Sequence, residues 1–421
     1  MTAALTARIG FVSTRLAGTD GVSLEVVKWV TVLRQLGHQC FFFAGELDWP
    51  SEISMLAPEA HFIHPDVAAI NADLFDDYLR SSATSQQIQA IKERLKRQLY
   101  AFIQRFDLTL LIPQNALAIP MNVPLGLALT EVIAETGIPT IAHHHDFSWE
   151  RVRFAVSAAE DVLSAAFPPA LSHIRHVVIN SPAARQLAMR RAVSSTLIPN
   201  VMPFEQPPPP ADDYSSHLRA DLGIAADELL VLQPTRVVPR KRIERAIELV
   251  ARLARPATLL ISHEAGDEGL DYGIYLRDYA ELLGVHVLFG SDLISERRGT
   301  TATGQRVYSL ADAYQHSDFV TYPSVIEGFG NAFLEALYFR RPIVLSAYDI
   351  YRVDIQPKGF QVIQFEEFIT SAVVQEVQAL LGDQPRIQAM VEHNYELACR
   401  FYSYSALEKH LAALLNDALG M

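Results

Sequence analysis

The sequence predicts an α/β protein built from two doubly wound domains, and three observations lead there. Short apolar runs alternate with helically periodic stretches across residues 9–201, and the same alternation restarts at residue 229. Between the halves, Pro203 and the run Pro207 to Pro210 make a stiff, extended segment suited to joining two bodies. Finally, 421 residues of which half are apolar suffice for more than one core.

The composition narrows the function. A net charge of −13 argues against a polyanion, so no nucleic acid is expected as partner and any phosphate site must be built locally. Only Cys40 and Cys399 occur, which leaves no disulfide framework and no paired-cysteine metal motif, and fits a reducing, cytoplasmic setting. The N-terminus lacks a basic start followed by an apolar core, and no apolar run reaches about eighteen residues. No stable membrane insertion is therefore expected, and the basic run Lys92 to Arg97 reads as a solvated helix face. The oligomeric state stays open.

In chain order, Ile9-Gly-Phe-Val is a strand, residues 13–23 a glycine-bearing loop, and Leu24 to Leu36 a helix closed by Gly37. Gln39 to Ala44 is the second strand, and residues 65–106 read as mostly helical cover. Leu108 to Pro113 is a further buried strand, Asn115 to Pro124 a loop and Leu125 to Glu135 a helix. The strand after Gly137 brings Asp146 to its C-terminal end, the edge where open α/β sheets place ligands. Along His143-His-His145 alternate residues share a face, so at most His143 and His145 converge, and no cysteine joins them. Core histidines are the plainer reading than a metal site. Arg151 and Arg153 are a basic pair in an acidic protein, fit either to hold an anionic group by forked hydrogen bonds or to serve the surface.

Strands His176 to Asn180 and Leu197 to Asn200 close the first half. In the second, Leu229 to Gln233 is a strand, Arg236 to Arg242 a basic loop and Ile243 to Leu253 a helix. Thr258, Val285, Asp318 and Pro342 open four more strand candidates, residues 291–307 read as a loop without periodicity, and Ala406 to Leu419 is the closing helix.

The most informative stretch is Tyr322-Pro-Ser-Val-Ile-Glu-Gly-Phe-Gly-Asn-Ala-Phe-Leu-Glu-Ala-Leu337. It reads strand, glycine loop, helix. Gly328 and Gly330 let the backbone turn sharply, and the amides of Phe329, Gly330 and Asn331 then open a helix that attracts anions, phosphate above all. Glu327 stands before those amides and Glu335 two turns into the helix, placing two hydroxyl-binding acids around a phosphate. That combination suggests a sugar nucleotide.

Glu, seven residues, Glu, with Gly-Phe-Gly after the first, resembles the donor-site signature of retaining glycosyltransferases of the GT-B fold, family 4. The resemblance implies two Rossmann-like domains facing across a cleft: an acceptor-side domain, residues 1–202 completed by a C-terminal helix over 402–421, and a donor-binding domain over 203–401. It implies transfer of a hexosyl group from a UDP- or GDP-sugar to a hydroxyl of a small polar acceptor, anionic in the case of a sugar phosphate or glycosylglycerate. The donor would be held by Gly21, Arg236, Lys241, Glu327, Gly328, Phe329, Gly330, Asn331 and Glu335. Catalytic roles would fall to Glu327, His145, Arg236 and Lys241, and acceptor binding to Asp20, Asp146, Arg151 and Arg153. Thr235 and Arg242 stand where the family commonly has glycine, and Gly18 and Gly21 are separated where it has a pair. No Asp-X-Asp occurs in the chain, so neither metal nor cofactor is expected, and cations and helix amides would neutralise the diphosphate. The alternatives are a non-catalytic nucleotide-sugar-binding protein and a lipid- or polysaccharide-directed transferase of the same fold.

Overall fold

The computed structural model describes residues 6–263, 270–295 and 297–420. Two compact units emerge, residues 1–201 with 404–421 and residues 202–403.

In the first unit the chain forms β1 (Arg8–Val12), α1 (Gly21–Gln35), β2 (Gln39–Ala44), β3 (Ser54–Leu56), α2 (Pro65–Leu74), α3 (Ser82–Phe106) and β4 (Leu110–Pro113). It continues through α4 (Val123–Thr136), β5 (Thr140–His144), α5 (Glu160–Ala166), β6 (Ile174–Val178), α6 (Ser181–Arg191) and β7 (Ser195–Leu197). All seven strands are parallel, in the order β3-β2-β1-β4-β5-β6-β7. The order reverses direction between β1 and β4, and such a switch point opens a crevice at the strands' C-terminal ends.

The sheet is covered on both faces, which is why β1, β2 and β4 read as largely apolar runs and β5, Thr140–His144, is buried along its whole length. On one face α3 lays Ile88, Ile91, Leu95, Leu99 and Phe102 at helical spacing beside α4. Lys92 and Lys96, expected on a solvated face, instead reach Glu131 and Glu135 of α4. On the other face Val26, Trp29, Val30 and Leu33 of α1 meet Leu407, Leu411, Leu414 and Leu415 of the C-terminal helix Tyr404–Leu419. Each buried leucine contributes roughly 1.5–3 kcal/mol, enough to hold that helix on the first unit.

In the second unit come α7 (Asp213–Ser216), α8 (Leu218–Asp221), β8 (Leu229–Gln233), α9 (Glu244–Arg252), β9 (Ala257–Ile261), α10 (Leu270–Leu283) and β10 (His286–Phe289). Then follow β11 (Ile294–Ser295), β12 (Gly299–Thr300), β13 (Arg306–Ser309), α11 (Leu310–His316), β14 (Phe319–Tyr322), α12 (Asn331–Tyr338) and β15 (Ile343–Ser346). The unit ends with β16 (Ile363–Phe365), α13 (Ser371–Leu381) and α14 (Gln384–Tyr402). Its parallel sheet runs β10-β9-β8-β14-β15-β16, with its own switch point between β8 and β14. This is the second doubly wound layer the sequence predicted.

Three expectations are corrected. Residues 291–307 are not a plain loop: β11, β13 and β12 form a small sheet, and Arg298 anchors it to Asp212 and Asp312. The proline run does not join the two bodies. It lies inside the second unit, where the Pro209 carbonyl accepts from Gln315 Nε2 at 2.7 Å, and the chain passes between units at Val201/Met202 and Ser403/Tyr404. Met202, Tyr402 and Ser403, assigned by sequence to the first domain, belong to the second, where Met202 N donates to the Tyr402 carbonyl at 2.9 Å.

Candidate active site

The second unit's site is assembled at the β8/β14 switch point. At the end of β8, the fully buried Gln233 donates from Nε2 to Thr235 Oγ1 at 2.8 Å and accepts from Thr321 Oγ1 of β14 at 2.8 Å. Both loops therefore leave from strand ends locked by one amide. Beyond it the chain makes a tight turn over Pro239–Lys241, and Arg242 adopts a left-handed φ of 48°. A glycine would be unstrained there. The β14 loop is tied back by Val325 N to the Arg240 carbonyl at 3.1 Å and by Arg240 Nη1 to the Ile326 carbonyl at 3.2 Å.

These ties bring Lys241 and Glu327 together. The ammonium pairs with the carboxylate, each side chain is only 10 % exposed, and Lys241 also lies 5.4 Å from the Tyr322 ring. Burial lowers the Lys241 pKa and the Glu327 charge opposes that fall. Burial likewise pushes the Tyr322 hydroxyl well up, reinforced by Glu327. Arg236 is exposed and near enough to Lys241 to oppose its protonation, while Arg240 reaches the second Glu327 oxygen at 4.0 Å. The sequence expected a basic loop; the structure makes it a buried cation set on a carboxylate, flanked by exposed arginines.

Beyond Glu327 the exposed Gly328 leads to the buried Phe329, which packs edge-on against Tyr402. Gly330 takes φ 118°, and a Cβ there would overlap the Tyr348 hydroxyl, which donates to the Phe329 carbonyl at 2.9 Å. Asn331 opens α12 with no side-chain cap from Gly330. Glu335, half-buried on the same helix, accepts from the fully buried Tyr314 hydroxyl at 2.8 Å.

On the first unit, the β1 loop and the ends of β4 and β5 gather the other residues singled out. Asp20 caps α1, accepting from Val22 N and Ser23 N, and pairs with Arg15 at 3.1 Å. The helix thus starts at Gly21, earlier than the expected Leu24, and the left-handed glycine of the loop is Gly18, φ 68°. The alternation expected of the histidines holds. His144 points to one side, with Nε2 2.9 Å from His176 Nδ1, while the His143 and His145 rings converge 4.3 Å apart on Gln114. Among the described residues no group of three potential ligands gathers around a metal position. Burial lowers His143 and His144 well below the usual range and brings His145 to about 4, against the opposing charges of Asp146 and Asp20. At neutral pH His145 is an uncharged hydrogen-bonding group.

Asp146 accepts from Asn115 Nδ2 at 2.7 Å and is paired with Arg151, which is half exposed. Arg153 stacks its guanidinium 4.6 Å from the Phe154 ring and touches Met121.

Sequence reasoning missed Gln114, Asn115, Gln233, Tyr314 and Tyr322. A signal existed for the first two: a polar Gln-Asn pair directly after an apolar strand, with Asn tolerant of the left-handed conformation it adopts at φ 58°. The tyrosines carried none, because a buried aromatic is first of all core.

Residues 235–383 match the model of the family described as glycosyl transferases group 1. The chain is 32 % identical over 429 residues to the mannosylglucosylglycerate synthase of Thermotoga maritima, covering 93 % of this chain and 96 % of that one. Among solved structures it is similar to a sucrose-phosphate synthase from Thermosynechococcus elongatus, with TM-score 0.66, 16 % identity and coverage of 98 % and 99 %. It is also similar to Anabaena HepE in complex with UDP and glucose, with TM-score 0.66, 12 % identity and coverage of 98 % and 100 %.

Proposed function

The chain belongs to the group 1 glycosyl transferases, the GT-B enzymes of family 4, and from that premise we propose that it transfers a hexosyl group from a UDP- or GDP-sugar to a hydroxyl of a glycosylglycerate acceptor, with retention at the anomeric carbon and without a metal ion. The observation that carries the reading is the Lys241–Glu327 pair at the β8/β14 switch point, eight residues before Glu335 on the adjoining helix. The acceptor class rests on the relative of similar length, which is named for making mannosylglucosylglycerate.

In this reading the diphosphate lies on the amides that open α12, and Arg236 and Lys241 take up its growing charge as the sugar departs. Glu327 holds sugar hydroxyls where positive charge develops, and Glu335 holds the ribose. His145, uncharged at neutral pH, offers the reacting groups a hydrogen bond rather than a charge. A glycerate carboxylate would draw Arg151 away from Asp146 and Arg153 off the Phe154 ring, with Asp20 and Asp146 left for acceptor hydroxyls.

The test is a matrix of nucleotide sugars and acceptors in which nucleoside diphosphate release is followed with and without excess chelator. Release is expected with a glyceric-acid glycoside, unchanged by chelator, with NMR of the product showing the donor's anomeric configuration kept. Donor binding without acceptor-dependent release would indicate a binding protein, release only with lipid or polysaccharide would overturn the acceptor class, and inhibition by chelator reversed by magnesium or manganese would overturn metal independence.

A further inference from the structure

Gln114 sits directly after β4, fully buried, with its backbone pinned on both sides: its N–H donates to the Val12 carbonyl at 2.8 Å and its carbonyl accepts from Ser13 Oγ at 3.0 Å. Full burial leaves its side chain little freedom to move. Oε1 lies 3.0 Å from His143 Nδ1 and 3.1 Å from His145 Nε2, so one amide oxygen faces two ring nitrogens. The His143 ring is held on one face by Trp29, stacked at 4.2 Å. The neighbouring Asn115 adds a second grip, accepting from His145 N at 2.9 Å through Oδ1 and donating to Asp146 Oδ1 at 2.7 Å. Two consecutive residues after β4 thus fix ring, backbone and following acid of the segment after β5.

We propose that Gln114 is a positioning residue for His145, holding the imidazole in the tautomer with hydrogen on Nε2 and so presenting an unprotonated Nδ1 as hydrogen-bond acceptor to a hydroxyl of the acceptor substrate. The proposal rests on the assignment of His145 to the reaction. A neutral imidazole carries one ring hydrogen, and an acceptor oxygen at Nε2 places it there. The ring can then receive a hydroxyl hydrogen, as a group that orients or deprotonates an attacking hydroxyl must, but cannot donate from Nδ1.

The neutrality of Gln114 matters as much as its shape. Asp146 and Asp20 raise the proton affinity of His145, and burial with Lys28 of α1 lowers it, while His143 and His144 on the same segment are themselves uncharged. Asp146 is in turn paired with Arg151, and Asp20 with Arg15. A carboxylate in place of the Gln114 amide would tip this balance towards imidazolium and fill Nδ1 with a proton.

The test uses the full chain labelled with nitrogen-15 at histidine, with Gln114→Leu, Gln114→Glu and His145→Ala made in parallel. In the unaltered protein at pH 7.5 or so, the His145 resonances are expected to show hydrogen on Nε2. Gln114→Leu should lose that preference and lower kcat about 10- to 100-fold, the range seen when a partner that orients a metal-ligating histidine is removed, with KM little changed. Gln114→Glu keeps the accepting oxygen and should move the acidic limb of the pH–rate profile upward by about one pH unit or more, a shift that a merely structural role would not produce. An unchanged tautomer in Gln114→Leu, or a pH profile in Gln114→Glu that overlays the original, overturns the proposal whatever the activity. Full turnover in His145→Ala would instead remove His145 from the reaction, while the tautomer measurement still decides what Gln114 does.

Discussion

Lys241 and Glu327 stand 86 residues apart in the chain and form one buried ion pair, because the strands they follow are neighbours in the sheet. Each carries a charge that is costly to bury alone. Either single alanine variant is expected to lose roughly 3–5 kcal/mol of stability, the cost of stranding the other charge. Glu327→Ala should also lower turnover by about 100-fold, the low end for a preorganised electrostatic contact. The double variant Lys241→Met/Glu327→Leu separates the two effects. Thermal melts should show much of the stability recovered while turnover stays lost, and a double variant that regains activity would make the pair structural alone.

Glu335 answers to a different measurement. Its proposed ribose contact does not change during the reaction, so Glu335→Ala should weaken donor and free nucleoside diphosphate alike, raising KM more than it lowers kcat. Tyr314→Phe removes the hydroxyl that donates to Glu335 and should do the same more weakly, about 3- to 10-fold, because that bond acts on the nucleotide only through Glu335. Calorimetric titration with UDP and GDP checks both. Nucleotide affinity left intact in Glu335→Ala but abolished in Glu327→Ala would reverse the placement of the ligand along this stretch.

Gly330 tests the loop itself. With φ at 118° and the Tyr348 hydroxyl where a Cβ would stand, Gly330→Ala incurs both backbone strain and a clash. A loss of roughly 1–3 kcal/mol is expected from the strained conformation alone. Gly330→Ala/Tyr348→Phe should recover only the part due to the clash, because the φ remains. Melting curves of the two variants measure the split.

Stability should fall on acidification. His145 and His176 have folded-state pKa values pushed down to about 4 by burial, below the usual value, and burial lowers His143 and His144 in the same direction. The unfolded chain therefore binds more protons between about pH 4 and 6.5, and the stability present above 6.5 drains away through that window. For the buried His176 alone the loss by pH 4 is about 3 kcal/mol. Calorimetric melts between pH 7.5 and 4.5 should show a steep decline in Tm, shallower in His176→Asn. A Tm that stays level through that range would contradict the burial described for these rings.

Much of the fold was legible because parallel strands covered on both faces must be continuously apolar, and few other arrangements of a soluble chain require that. Glycine and acid spacing across Glu327 to Glu335 was legible for a similar reason: a helix start with free amides needs a sharp turn before it, and few residues permit one. The proline run misled because stiffness says nothing of which body a segment packs on. Residues 291–307 misled because strands as short as β11 and β12 are too brief to show a period.

By itself, then, the sequence determined what lies within one strand, one loop or one helix: the two apolar layers, the loop that opens α12, and the alternation that turns His143 and His145 to one side and His144 to the other. It could not determine which side chains from distant segments meet. That Glu327 is neutralised by Lys241 and that two histidines share the oxygen of Gln114 were decided by strand order, since parallel neighbours in the sheet are far apart in the chain, and that Glu335 is held by Tyr314 was decided by the packing of α12 beside α11. Local pattern reflects the backbone's own periodicity, whereas charge pairing and pKa depend on burial and distance, which exist only once the sheets are assembled.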